Sequence, residues 1–254
     1  MIDLEHIARL KQWFNSYAVS FGRGDAFTLK HGHTARVCVE CVHLARQLNL
    51  SEADCRVAEL IGLFHDLGRF EQYQKYNTFS DLQSENHALL ALKIIDRESL
   101  LNGIAEADLI GSAIANHNKS AIDGGLNART MLFARLIRDA DKIDIWHIKT
   151  GYYLNPPVQR KDTIEFNLPD LPNVSQAVYD AAISGHSVCT TDVRTLTDLK
   201  VLELSWVFDL NFTPSFTIVK TRGYLDLIRQ FLPDTEPLRD IFAMAANFVN
   251  SRSS

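Results

Sequence analysis

Residues 58–70, AELIGLFHDLGRF, constrain this chain more than any other stretch. Ala58, Ile61, Leu63 and Phe64 have the spacing and apolarity of a buried helix, and that helix runs directly into His65 and Asp66. Gly68 follows where a helix commonly stops, because a residue without Cβ enters the left-handed conformation without a clash. An imidazole and a carboxylate side by side at the end of a buried helix can both reach one divalent cation. The dipeptide His-Asp alone is common, so its meaning rests on partners elsewhere in the chain.

The helical period recurs through most of the sequence. Leu4, Ile7, Ala8, Trp13, Phe14 and Tyr17 predict an opening helix over 3–20, followed by a glycine-punctuated loop, FGRGDAFT. A second helix is expected over 31–48. Ser51, with Asp54 three residues on, reads as the N-cap of a helix through Asp66. The stretch RFEQYQKYNTFSDLQ reads as an aromatic, polar connection. Helices over 84–97 and 106–118 carry His87 and His117, and a long one over 127–149 carries Asp141. The proline-rich segment NPPVQRKDTIEFNLPDLPN predicts a loop with a short extended piece at Thr163–Leu168. Helical patterning returns over 174–184, 192–209, 215–231 and 235–250. Strand signals are scarce, and the expected fold is all-α. Residues 1–150 are expected to form the helical core that carries the histidines. Residues 151–254 are expected to be a C-terminal helical extension packed on that core as one structural unit, completing it, with pocket closure and dimer formation as the other roles open to the segment.

A net charge of −5 makes the chain a poor partner for nucleic acid, although a local basic pocket for a phosphate is compatible with it. The start, MIDLEHIARL, lacks the pattern of a secretory signal. No apolar run approaches the roughly 18–20 residues that span a bilayer, so no membrane partner is expected. Cys38 and Cys41 form a C-x-x-C inside a helical pattern with no second pair at zinc-finger spacing, and read as reduced, packed thiols. These features point to a cytoplasmic protein.

The chemistry lies in the spacing of His and Asp. His33 begins one helix, His65 and Asp66 end the next, and His87, His117 and Asp141 each fall on a further helix. Nitrogen and carboxylate ligands from separate helices are how helical proteins hold Mn, Fe or Zn in their cores. The order His33…His65-Asp66…Asp141 resembles the HD superfamily of metal-dependent phosphohydrolases. The finer motifs agree: HTARV after the first histidine, FHDLGRF at the HD turn and RDADKID at the terminal aspartate. The resemblance covers residues of about 30–145, and it selects His33 over the neighbouring His31 and Asp141 over Asp139 and Asp144. Residues 139 and 141 lie about 200° apart around a helix, so both cannot readily serve one ion.

The resemblance implies an HD-domain helical bundle with metal ligands His33, His65, Asp66 and Asp141. His87 and His117 resemble the extra ligands of the two-metal branch, which includes HD-GYP and dinucleotide polyphosphate hydrolases. In that reading Asp66 bridges two ions, iron or manganese, with zinc, nickel, cobalt and magnesium as other candidates. In the one-metal reading, His87 and His117 touch the substrate phosphate or the attacking water. Arg69 matches the basic residue of the HD turn and is a candidate phosphate anchor, with Lys142 and Lys119 as further catalytic candidates. Residues 69–83, including Gln72, Tyr73, Thr78, Phe79 and Asp81, resemble a subgroup pattern and are expected to overhang the pocket. Their aromatics either stack on a base or pack the segment down.

The leading expectation is therefore a metal-dependent phosphohydrolase acting on a nucleotide or another small phosphoester, with a homodimer as one assembly the family allows. Two other readings stand beside it. One is an HD-fold di-iron oxygenase, similar to inositol oxygenase, acting on a small polar substrate. The other is a non-catalytic nucleotide sensor that reports through the C-terminal helices.

Overall fold

The computed structural model describes residues 2–157 and 162–253, and among these every regular element is a helix or a 3₁₀ turn. The chain divides into two compact units, Met1–Asp144 and Ile145–Ser254.

The first unit contains α1 (Leu4–Ser20), α2 (Asp25–Gln47), α3 (Glu52–Phe64), α4 (Gly68–Tyr76), α5 (His87–Arg97), α6 (Ala107–Asn116) and the start of α7 (Ala128–Leu154). Helix α2 begins at Asp25, inside the expected FGRGDAFT loop. Ser51 caps α3 as expected, its side chain accepting from the Asp54 N–H. Helix α3 is buried on nearly every side, including Val57, Ala58, Leu60, Ile61, Leu63 and Phe64, the pattern of a helix wrapped by others. It lies tightly against α2: a Cβ on Gly62 would come within 3.1 Å of Cys38 Cα and Cys41 Sγ. Cys38, Cys41 and Cys55 are free and buried, and burial pushes the Cys38 thiol up to about 12.

Two expectations about the HD turn are corrected. Gly68 does not stop a helix; it opens α4, and the left-handed residue of this region is Asn77 (φ 53°), which ends that helix. The supposed connection over 69–83 is therefore mostly helical, followed by a 3₁₀ turn at Asp81–Gln83. Gly68 is needed for closeness: a Cβ there would lie 2.2 Å from the His87 carbonyl oxygen. The three residues His65, Asp66 and Leu67 form the whole junction between α3 and α4, and all are buried.

The second unit contains the remainder of α7, then α8 (Asp162–Glu165), α9 (Gln176–Ile183), α10 (Leu196–Ser205), α11 (Thr213–Thr221), α12 (Tyr224–Arg229) and α13 (Glu236–Arg252). The extended piece expected at Thr163–Leu168 is instead the single helical turn α8, followed by Phe166 and Asn167 at positive φ. Residues 158–161 of the expected proline-rich loop lie outside the described residues. The helix expected over 215–231 is split at Gly223 (φ 65°), whose left-handed backbone ends α11 and lets α12 restart in a new direction. Buried polar groups are paired: Glu203 accepts from Tyr153 Oη at 2.8 and 2.9 Å and from Lys149 Nζ at 3.1 Å. The Trp146 indole N–H donates to the Glu203 carbonyl at 2.9 Å.

Candidate metal centre

Five elements of the first unit bring the six predicted residues together. His33 sits within α2, His65 and Asp66 in the α3–α4 junction, His87 at the first position of α5, His117 just past α6, and Asp141 within α7. His33, His65, His87 and His117 are all 5% exposed or less, and Asp66 is 3% exposed. The two oxygens of Asp66 face different partners. Oδ2 lies 3.4 Å from His33 Nε2 and 3.7 Å from His65 Nε2, whereas Oδ1 lies 3.3 Å from His87 Nε2 and 4.0 Å from His117 Nε2. Asp141 joins the first pair, its Oδ1 3.1 Å from His33 Nε2 and 3.7 Å from His65 Nε2. Two groups able to hold a metal result, His33–His65–Asp66 and Asp66–His87–His117, sharing one carboxylate.

Each imidazole is aimed by a partner at its other nitrogen. His33 Nδ1 meets Asp144 at 2.7 Å, His65 Nδ1 the Gly62 carbonyl at 2.8 Å, His87 Nδ1 Asp81 at 2.7 Å, and His117 Nδ1 the Ile114 carbonyl at 2.7 Å. These acceptors keep the ring proton on Nδ1 and leave Nε2 as the inward atom. The residues behind the histidines explain the motif spacings. Arg36, three positions after His33, donates to Asp144 through Nε at 2.6 Å, and Asp144, three after Asp141, also orients His33. Arg138, three before Asp141, is buried and donates to the carbonyls of Asn116, His117 and Lys119, which fixes the chain where α6 ends.

The electrostatics differ between the two groups. Burial and the nearby Lys30 would lower the His33 pKa, but Asp141, Asp144 and Asp66 outweigh them and raise it to about 10. Its Nδ1 faces Asp144 at 2.7 Å and its Nε2 faces Asp141 at 3.1 Å. Burial, together with Arg69, lowers the His87 pKa, and burial with His87 and His65 as neighbours brings His117 down to about 3. Their Nε2 atoms, both turned inward, lie 2.9 Å apart, close enough for one cation to be shared between them. Burial alone would raise the Asp66 and Asp141 carboxyls, but Lys30, His65 and His33 around Asp66, and His33 and His65 around Asp141, hold them well below the usual range. Inward nitrogens and ionised oxygens are the donor set of a divalent ion of the Mn, Fe or Zn type. The residues fit.

Residues 31–146 match the family model for the HD domain. Those residues are an HD domain. HD-domain proteins are generally metal-dependent hydrolases, and the two His/Asp groups are where this one is suited to bind a divalent metal. No curated protein and no solved structure matches the chain. No helix among the described residues is long and apolar enough to cross a membrane.

The other predicted residues of the HD domain take distinct places. Arg69 lies with Nε 3.4 Å from Asp66 Oδ1, and its Nη1 donates to the Phe79 carbonyl, Gln72 Oε1 and Asp81 Oδ1. Its guanidinium thus ties the segment after α4 to the centre. Lys119 is not drawn into the cluster; its ammonium pairs with Asp123 at 2.6 Å on the surface. Lys142 is half-buried on α7, one residue beyond Asp141. His31 meets Asn15 at 2.8 Å and Phe14. Tyr73 and Phe79 pack on each other at 4.8 Å, with Tyr73 edge-on to Phe27, so these two aromatics pack the segment down.

Lys30 lies outside the predicted set, and Asp81 takes a part other than the expected one. Lys30 Nζ lies 2.6 Å from Asp66 Oδ2. It stands three positions before His33 and so shares its face of α2, a signal hidden by starting that helix at 31. Asp81 was read as part of a substrate-facing segment, whereas its carboxylate accepts from His87 Nδ1, Gln72, Asn118 at 2.9 Å and Arg69. Nothing in a loop's sequence announces that register. Asp81→Asn is expected to keep the fold but weaken metal binding by about 10–100-fold, the usual cost of losing a carboxylate behind a ligand histidine. Competition with a chromophoric chelator measures this, and unchanged affinity would remove Asp81 from the site.

Proposed function

We propose that this protein is a metal-dependent phosphohydrolase acting on a nucleotide or another small phosphoester. The observation that carries the reading is the shared carboxylate of Asp66, with one oxygen toward each pair of imidazoles. The first group, His33, His65, Asp66 and Asp141, would hold one divalent ion, and Asp66, His87 and His117 a second, with iron or manganese suited to these donors. Ions bound there lower the pKa of water toward neutrality and neutralise charge as it builds on a phosphoryl group.

The charge of the cluster favours an anionic substrate. Three carboxylates (Asp66, Asp81 and Asp144) pair with three fixed cations (Lys30, Arg69 and Arg36), and Asp141 faces His33 and His65, leaving one net negative charge when the imidazoles are neutral. One divalent ion makes the cluster positive by one, two ions by three. A phosphate monoester or diester balances that charge; an uncharged polyol does not. For this reason phosphoester hydrolysis ranks above the oxygenase reading.

The test is phosphate release from a panel of nucleoside mono-, di- and triphosphates and an aryl phosphate, with added Mn²⁺ or Fe²⁺ and with chelator. Release that requires metal is the expected result, and the best substrate would narrow the class. Absence of release from metal-loaded protein, together with oxygen uptake by an iron-loaded sample, would overturn the phosphohydrolase in favour of the oxygenase.

A further inference from the structure

We propose that Lys30, rather than the motif arginine alone, is the side chain that contacts the anionic group of the substrate. This rests on the phosphohydrolase reading and names the group that recognises the phosphate. Lys30 reaches the centre from α2, one turn before His33, and its Nζ lies 2.6 Å from Asp66 Oδ2, the oxygen that also faces His33 and His65. That is the one hydrogen bond the structure records for its ammonium among the described residues. The side chain retains 16% exposure, whereas the Asp66 side chain beneath it retains 4%. Lys30 is thus the more exposed side chain of the pair, and its ammonium also faces the Phe79 ring, whose centroid is 5.4 Å away.

Arg69 occupies the other flank of Asp66 but is differently employed. Its Nη1 donates to the Phe79 carbonyl, Gln72 and Asp81, so that nitrogen is engaged in holding the segment after α4. Lys30 has no such obligation to the fold. Its partner is a carboxylate whose charge a divalent ion would take up. An ammonium in a niche of low exposure, once its counter-charge is shared with a cation, requires a new anion. A phosphoryl oxygen arriving beside Asp66 supplies it, and two of the three N–H donors of Lys30 remain to receive it.

The experiment measures binding of inorganic phosphate by calorimetry to Mn²⁺-loaded wild type, Lys30→Met and Lys30→Arg, with metal content determined on the same samples. In the expected result all three proteins hold the same metal, and Lys30→Met binds phosphate about 10–100-fold more weakly, the worth of one hydrogen bond to a charged group. Lys30→Arg, which retains the charge, recovers most of that loss. If Lys30→Met binds phosphate as tightly as wild type, Lys30 does not contact the anion and the proposal is overturned. Loss of metal from Lys30→Met would also overturn it, because Lys30 would then be a positioning residue for Asp66. Failure of the metal-loaded wild type to bind phosphate would instead bring down the phosphohydrolase reading on which the proposal stands.

Discussion

Replacing Asp66 by alanine is expected to empty both halves of the centre at once and to lower hydrolysis by roughly 10³-fold or more. The magnitude follows from a metal's stabilisation of phosphoryl charge, which is worth several kcal/mol, at about 1.4 kcal/mol per tenfold in rate. The reason for the double loss is geometric. Asp66 is the residue that belongs to both metal-capable groups, with Oδ2 toward His33 and His65 and Oδ1 toward His87 and His117. By contrast, Asp141→Ala removes a carboxylate only from the first group, and His117→Ala a nitrogen only from the second. Each of these variants should keep part of its metal. Metal content by mass spectrometry, paired with phosphate release, separates the cases. A metal content in Asp66→Ala equal to that of Asp141→Ala would show that the carboxylate is not shared.

Gly68→Ala is expected to cost about 3 kcal/mol or more, at the upper end of what overpacking a tight contact does. The added Cβ would stand 2.2 Å from the His87 carbonyl oxygen and 2.8 Å from the Ala91 backbone nitrogen. Both are main-chain atoms of α5, so no side chain can rotate away; α4 and α5 have to separate. His87 is the first residue of α5, and the separation would carry its imidazole from Asp66 and Asp81. The variant should therefore lose stability and also bind metal less tightly at Asp66, His87 and His117. Gly111→Ala is the control. It lies inside α6, where a new Cβ meets only Leu92 Cδ2 at 3.7 Å, an ordinary contact. There alanine should be neutral or stabilising by up to about 1 kcal/mol through helix propensity. Urea unfolding of both variants measures the difference, and a Gly68→Ala protein as stable as wild type would show that the α4–α5 contact is not as close as described.

Much of the helical layout was legible because helical periodicity and capping are local. The Ser51 cap, the buried α3 and the placement of His117 at a helix end needed only a few residues of context, whereas the helix expected from 84 starts at His87 itself. Gly68 shows where local reasoning failed. A glycine after an apolar helix has two physical uses, a left-handed stop and a close approach of backbones, and only the position of α5 distinguishes them. The start of α2 was misplaced for a related cause: Gly22 and Gly24 suggested a loop, but Gly24 is merely the residue before the helix, and six further residues are helical. Lys30 was lost with them. Likewise, Tyr73 and Phe79 offered base stacking and packing equally until their mutual contact, and the edge of Phe27 on Tyr73, gave them a place in the packing.

The all-α fold, the HD domain of residues 31–146 and the convergence of His33, His65, Asp66, His87, His117 and Asp141 were legible because they depend on periodicity and on short ordered motifs. How those residues divide depends on packing across the whole unit. That packing assigns one oxygen of Asp66 to each imidazole pair, places Asp144 against His33 Nδ1, and ties Arg69 Nη1 to the segment after α4 while Lys30 pairs with Asp66. His33 and Asp144 are 111 residues apart in the chain. A 2.7 Å contact between them is set by how α2 and α7 pack, a property of the whole helical unit that no window of sequence contains.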